Sequence, residues 1–167
     1  SLSRTAGSSL LFRGTSFGST PAANVSTLLF SGGVTLVGGS GLENSTTISI
    51  IAGAIGDNSL TGTGTDMVTY GRGNANGLRL LNGAGFSGEY ASDFATANAN
   101  VKLTASTVAV TSSINSLILS GSGAITDAGS SQTITLASAS LSGNLLNIAN
   151  SSTIAGANTT IAGGTVE

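Results

Sequence analysis

Seven side chains in this sequence can carry a negative charge: Glu43, Asp57, Asp66, Glu89, Asp93, Asp127 and Glu167. They bound its chemistry, because the chain has no histidine and no cysteine. Without histidine a Ser/His/Asp nucleophile cannot be assembled, however abundant serine is. Without either residue the usual zinc ligands are missing and no disulfide forms. Carboxylate chemistry remains. Glycoside hydrolysis needs two carboxyls flanking one bond, and Asp57 with Asp66, or Glu89 with Asp93, offers such a pair. A lyase acting on an acidic polysaccharide would also want a basic group, for which Arg72, Arg79 and Lys102 are available. Isolated acids in Gly-rich loops more commonly bond their own backbone and shape a turn. That reading is preferred here, so no catalytic residue and no cofactor is assigned.

The other candidate groups read in the same way. Gly62-Thr63-Gly64-Thr65-Asp66 echoes part of a calcium-binding nonapeptide, but Thr61 replaces the first glycine and no second copy follows. Calcium takes six to eight oxygens, so Asp66 is at most one ligand of such a site. The Thr-x-Thr sets at Thr61/Thr63/Thr65 and Thr133/Thr135 would order water only if repeated on neighbouring coils, and Ile161-Ala162-Gly163 does not repeat them. Lys102, the single lysine, reads as a strand residue facing water rather than as half of an isopeptide bond. Asn24, Asn44, Asn150 and Asn158 each open an Asn-x-Ser/Thr triplet, which in so Asn-rich a chain reads first as a turn residue. Tyr70, Phe86, Tyr90 and Phe94 are the candidate stacking faces for a glycan.

The elements that must hold these residues are strands. The chain is 40% hydrophobic and only 7% charged, so Ser, Thr, Asn and Gly must keep its surface wet. Such side chains stack in ladders without like-charge repulsion. Five scattered basic residues (Arg4, Arg13, Arg72, Arg79 and Lys102) and a net charge of −2 give no surface for tracking nucleic acid. No run approaches the ~20 apolar residues of a membrane helix. Short β-branched or Leu-rich runs bounded by Gly, Ser or Asn predict strands at residues 10–13, 27–30, 34–37, 46–51, 67–70, 78–81, 101–104 and 108–111. Further strands are predicted at 115–119, 124–126, 133–137, 145–149, 153–155 and 159–162. Only residues 89–97 have helical character.

The last third is repetitive. Leu146, Ile154 and Ile161 follow Ile118, Ile125 and Ile134 at steps of 28, 29 and 27 residues. A near-constant step of this size predicts two coils of three strands, with residues 137–144 as the turn between them. The predicted architecture is all-β, a parallel β-helix (β-solenoid). Residues 1–56 hold its first coils, 57–100 a loop-rich lateral excursion, and 101–167 its regular coils.

The order of several segments resembles a known family. They include Leu10-Leu11-Phe12-Arg13-Gly14, Thr20-Pro21-Ala22-Ala23-Asn24-Val25, Thr47-Ile48-Ser49-Ile50-Ile51, Gly64-Thr65-Asp66-Met67-Val68-Thr69-Tyr70, Asn76-Gly77-Leu78-Arg79-Leu80-Leu81 and Asn100-Val101-Lys102-Leu103-Thr104. This order is similar to that of the autotransporter-associated β-strand repeat proteins, large surface or exported proteins of bacteria. The resemblance implies a right-handed helix in an exported passenger region, extracellular or at the cell surface, with no catalytic residues to carry over. The chain is then expected to be a segment of a longer protein. Its expected role is structural, a stiff shaft or fibre formed by end-to-end stacking of coils. The alternatives are an adhesin whose 57–100 loops bind surface glycans and, less favoured, a carbohydrate-active enzyme.

Overall fold

The computed structural model describes residues 2, 8–39, 41–71, 76–136, 145–148, 153–154, 158–162 and 165–166. Arg4, Arg72, Asn150, Glu167 and the turn expected at 137–144 lie outside these residues. All the regular structure among the described residues is β. Residues 89–97 form no helix. Instead Ala91 pairs in parallel with Val101, and the Asp93 carboxylate accepts the Ala95 N–H in an Asx turn that competes with helical bonding.

Four strands form a mixed sheet in the first half: β1 (Leu10–Arg13), β2 (Ala54–Asp57), β3 (Asp66–Tyr70) and β4 (Leu78–Leu80). β1 runs parallel to β2, while β2–β3 and β3–β4 are antiparallel. The runs expected as strands at 27–30, 34–37 and 46–51 contribute only isolated bridges, at Leu28, Val37, Ile48 and Ile50. The first half is therefore not a set of regular coils.

The second half is parallel throughout. β5 (Asn100–Leu103), β8 (Ser116–Leu119), β11 (Leu145–Ile148) and β14 (Thr165–Val166) form one sheet in that order. β6 (Ser106–Val108), β9 (Ala124–Thr126) and β12 (Thr153–Ile154) form the second. β7 (Ser112–Ile114), β10 (Gln132–Leu136) and β13 (Thr159–Ala162) form the third. Successive strands thus visit the three sheets in rotation and return beside their predecessors. Ile154 pairs with Ile125 and Ile161 with Ile134, at the steps read from the sequence. Leu146 pairs with Leu117, one residue from the expected Ile118.

That slip has a physical reason. Every residue of β8 is buried, so alternation does not reveal its inner face. Leu117 and Leu119 join the core enclosed with Val101, Ile125 and Ile134, whereas Ile118 packs with Val37, Ile50, Met67 and Leu81 of the first half. The first half therefore lies against the outer face of β5 and β8. Asn100 sews this junction. Its amide donates to the Thr46 and Ile48 carbonyls, and its Oδ1 accepts from Asn115 Nδ2 at 2.8 Å and Ser116 Oγ at 3.0 Å. Gly38, at φ +69°, passes so close that a Cβ there would overlap the Asn115 amide.

Candidate functional site

The acids and aromatics of residues 57–100 fall into separate local groups. Asp57 ends β2 and is buried; its two oxygens accept the Ser59 and Gly64 N–H groups at 2.8 and 3.1 Å. It closes the loop that begins after it, as a loop-forming aspartate does. Gly62 is required there because a Cβ would collide with that carboxylate. Thr61, Thr63 and Thr65 are exposed in this loop, outside any strand. Thr133, on β10, does pair with Thr160, but Thr135 pairs with Ala162.

Asp66, at the start of β3, meets Lys102 on the outer face of β5, Oδ1 to Nζ 2.7 Å. Lys102 also donates to the Thr65 carbonyl at 3.2 Å. Beside Asp66, the Tyr90 hydroxyl accepts the Met67 N–H at 2.8 Å. Burial, then the neighbouring Asp66 carboxylate, pushes the Tyr90 phenol well above its ordinary pKa. The phenol is thus held neutral. Asp66 faces an ammonium rather than a ring of oxygens, and no group of three or more acids suited to a metal ion occurs among the described residues.

Arg79 and Glu89 form a bidentate ion pair at 2.8 and 2.7 Å with both side chains fully buried. Glu89 also accepts the Asn44 and Asn82 N–H groups, and the Arg79 guanidinium stacks 3.6 Å over the Phe86 ring. Burial alone would raise the Glu89 pKa, but the Arg79 and backbone hydrogen bonds outweigh it and hold the carboxyl below the usual range. Asp93, paired with Glu89 on sequence grounds, is exposed and turns onto its own backbone.

The four candidate aromatics do not share one face. Phe94 is 3% exposed and belongs to the core of the parallel half. Tyr90 packs against the core at the junction, and Phe86 lies under Arg79. Tyr70 packs on Phe30, 5.6 Å between ring centres, and its hydroxyl bonds the Phe30 backbone.

Tyr70 also lines an open groove of about 720 Å³ with Leu36, Leu42, Glu43, Asn44 and Thr69. Glu43 and Leu42 are exposed there, Leu42 at 84%. Glu43 is one of the seven acids of the sequence and belongs to neither carboxylate pair. Its signal, an acid before a turn asparagine with positive φ, is too common to mark a site. Of the glycosylation triplets, Asn24 is exposed, while Asn44 Oδ1 accepts the Ser87 N–H and Asn158 Nδ2 donates to Asp127. The groups of residues 57–89 hold together loops and sheets that the sequence separates widely, and their hydrogen bonds run to the protein's own backbone and side chains. No family model, no curated protein and no solved structure matches this chain.

Proposed function

We propose that the chain is a structural, non-enzymatic element of an extracellular or cell-surface bacterial protein. In this reading residues 100–162 are coils of a right-handed parallel β-solenoid, and the mixed sheet braces one flank of that shaft. The observation that carries it is the order of the three parallel sheets, in which strands one coil apart lie side by side on every sheet. Such a stack buries its apolar row only between coils, so each coil depends on its neighbours and the assembly is stiff along its axis. The rows Val101–Leu117 and Leu103–Leu119, and the pair Ile125 and Ile134, supply that interior. Further support comes from the carboxylates of residues 57–89, which are engaged in holding the fold. Export and surface location rest on the family resemblance.

The first coil is open only in part. Ala91 covers β5, the Asn98 N–H bonds the Ser113 carbonyl of β7, and Phe94 joins the interior between them. Coils, or at high concentration further copies, add beyond β12 and β13, the terminal strands of their sheets. Negative-stain images of the concentrated protein are expected to show rods of constant width. Compact monodisperse particles at every concentration would contradict the proposal.

The groove beside Tyr70 and Glu43 favours a second reading, a glycan-binding surface. Binding on a glycan array that Glu43→Gln removes would support it; an array without signal would end it.

A further inference from the structure

We infer that β6 is a self-association edge, at which two copies of this chain join by antiparallel pairing of Ser106–Val108 across a two-fold axis. The inference rests on the coil-stack reading and adds a specific contact to it. In the first coil of the parallel half, β5 is covered by Ala91 and β7 receives Asn98. The chain takes its short cut between those points through Phe94, which enters the core, and no described strand is laid along β6. β6 is the terminal strand of its sheet, with β9 on one side and no strand among the described residues on the other.

The bonding pattern says which groups are free. The Ala105 carbonyl and the Ala109 N–H both bond β9, at Ala124 and Thr126, so alternation turns the backbone groups of Ser106 and Val108 outward. Both residues are exposed, and Val108 and Val110 stand 54% and 51% accessible beside the edge. Edge strands are normally protected by a charge, a proline or a bulge. Here no charged residue and no proline occurs from Leu103 to Thr126. The seven residues Ala105-Ser106-Thr107-Val108-Ala109-Val110-Thr111 are uncharged and free of Gly and Pro, a composition that readily adds a strand.

A strand edge accepts a strand, and this one offers nothing to attract a charged partner. A second β6 fits because the contact is self-complementary. With Thr107 opposite Thr107 of the second copy, Ser106 faces Val108 in both directions, and the outward groups of both copies are satisfied together. The two three-stranded sheets then become one of six strands, and both open edges disappear.

The test uses light scattering with size exclusion on the full chain. In dilute solution the wild type is expected at twice the chain mass and Val108→Lys at the chain mass, with unchanged far-ultraviolet circular dichroism, because Val108 is exposed. The chain has no cysteine, so Thr107→Cys gives a second readout. Non-hydrogen-bonded antiparallel neighbours lie about 4.5 Å apart at Cα, within disulfide range. Oxidised Thr107→Cys is expected to run as a covalent dimer whether or not the lysine variant folds. A monomeric wild type, a dimer indifferent to Val108→Lys, or failure of Thr107→Cys to cross-link would each overturn the inference. Amide exchange separates the causes. Slow exchange at Leu117, Ile125 and Ile134 in a monomeric protein removes the dimer alone, whereas fast exchange there removes the coil stack and the dimer with it.

Discussion

At Arg79 and Glu89 two opposite charges share the interior without solvent, and only their fork-to-fork geometry makes that tolerable. Removing Glu89 leaves the buried Arg79 guanidinium with only the half-exposed Glu43 carboxylate, 3.9 Å away. Glu89→Gln is therefore expected to lower stability by about 3–5 kcal/mol, measured by urea unfolding. The pair also sets a pH dependence. The Glu89 carboxyl titrates lower in the folded chain, so its stabilisation is complete above the unfolded glutamate pKa of about 4.3 and is lost as pH falls through the folded value. Tyr90 acts at the other limit. Its pKa is raised by folding, so its contribution is full below about 10 and is lost as pH climbs through the folded value. Urea midpoints should be flat between these limits and fall outside them. Tyr90→Phe would remove part of the alkaline loss. Little of this was legible beforehand. Arginine is rarely buried, and nothing near Arg79 in sequence says that Glu89 will reach it. Asp57 was legible, because a loop-forming aspartate among Gly and Thr acts locally.

Strands with sharp flanking breaks lie where the sequence places them. β9 and β13 fall on the expected residues because Gly123 precedes one and a turn asparagine, Asn158, the other. β2 was not expected, since Ala54-Ile55-Gly56-Asp57 lacks a β-branched run. Gly56 is needed there, because a Cβ would press on Val68 and Leu80. The strand expected at 108–111 is displaced to 106–108. The stretch from Ser106 to Ile114 has no Gly or Pro to mark its corner, which falls at buried Ala109. These elements carry unequal energy. Ile125 is fully buried between Thr107 and Ile154. Ile125→Ala is expected to cost about 2–5 kcal/mol, whereas Val110→Thr, on an exposed site, should stay within about 0.5 kcal/mol. Equal effects in urea titrations of the two variants would contradict this division between interior and outer rows.

Across the whole molecule, periodicity made only the parallel half visible. Two of the three expected partners, Ile125 with Ile154 and Ile134 with Ile161, pair as read. The first half was hidden because its contacts are long-range and its side chains pack on Ile118 of β8 without adding a strand to the three parallel sheets. Asn100, which joins the halves, looks in sequence like any other asparagine. The coil stack proposed for the parallel half is open to direct measurement. Backbone nuclear Overhauser contacts test it most directly, because parallel neighbours lack the short Hα–Hα distances of antiparallel pairs. Parallel-type contacts are expected between Val101 and Leu117, between Thr107 and Ile125, and between Ser113 and Thr135, one for each sheet. Strong Hα–Hα contacts among residues 100–136, or the absence of cross-coil contacts on any sheet, would contradict it.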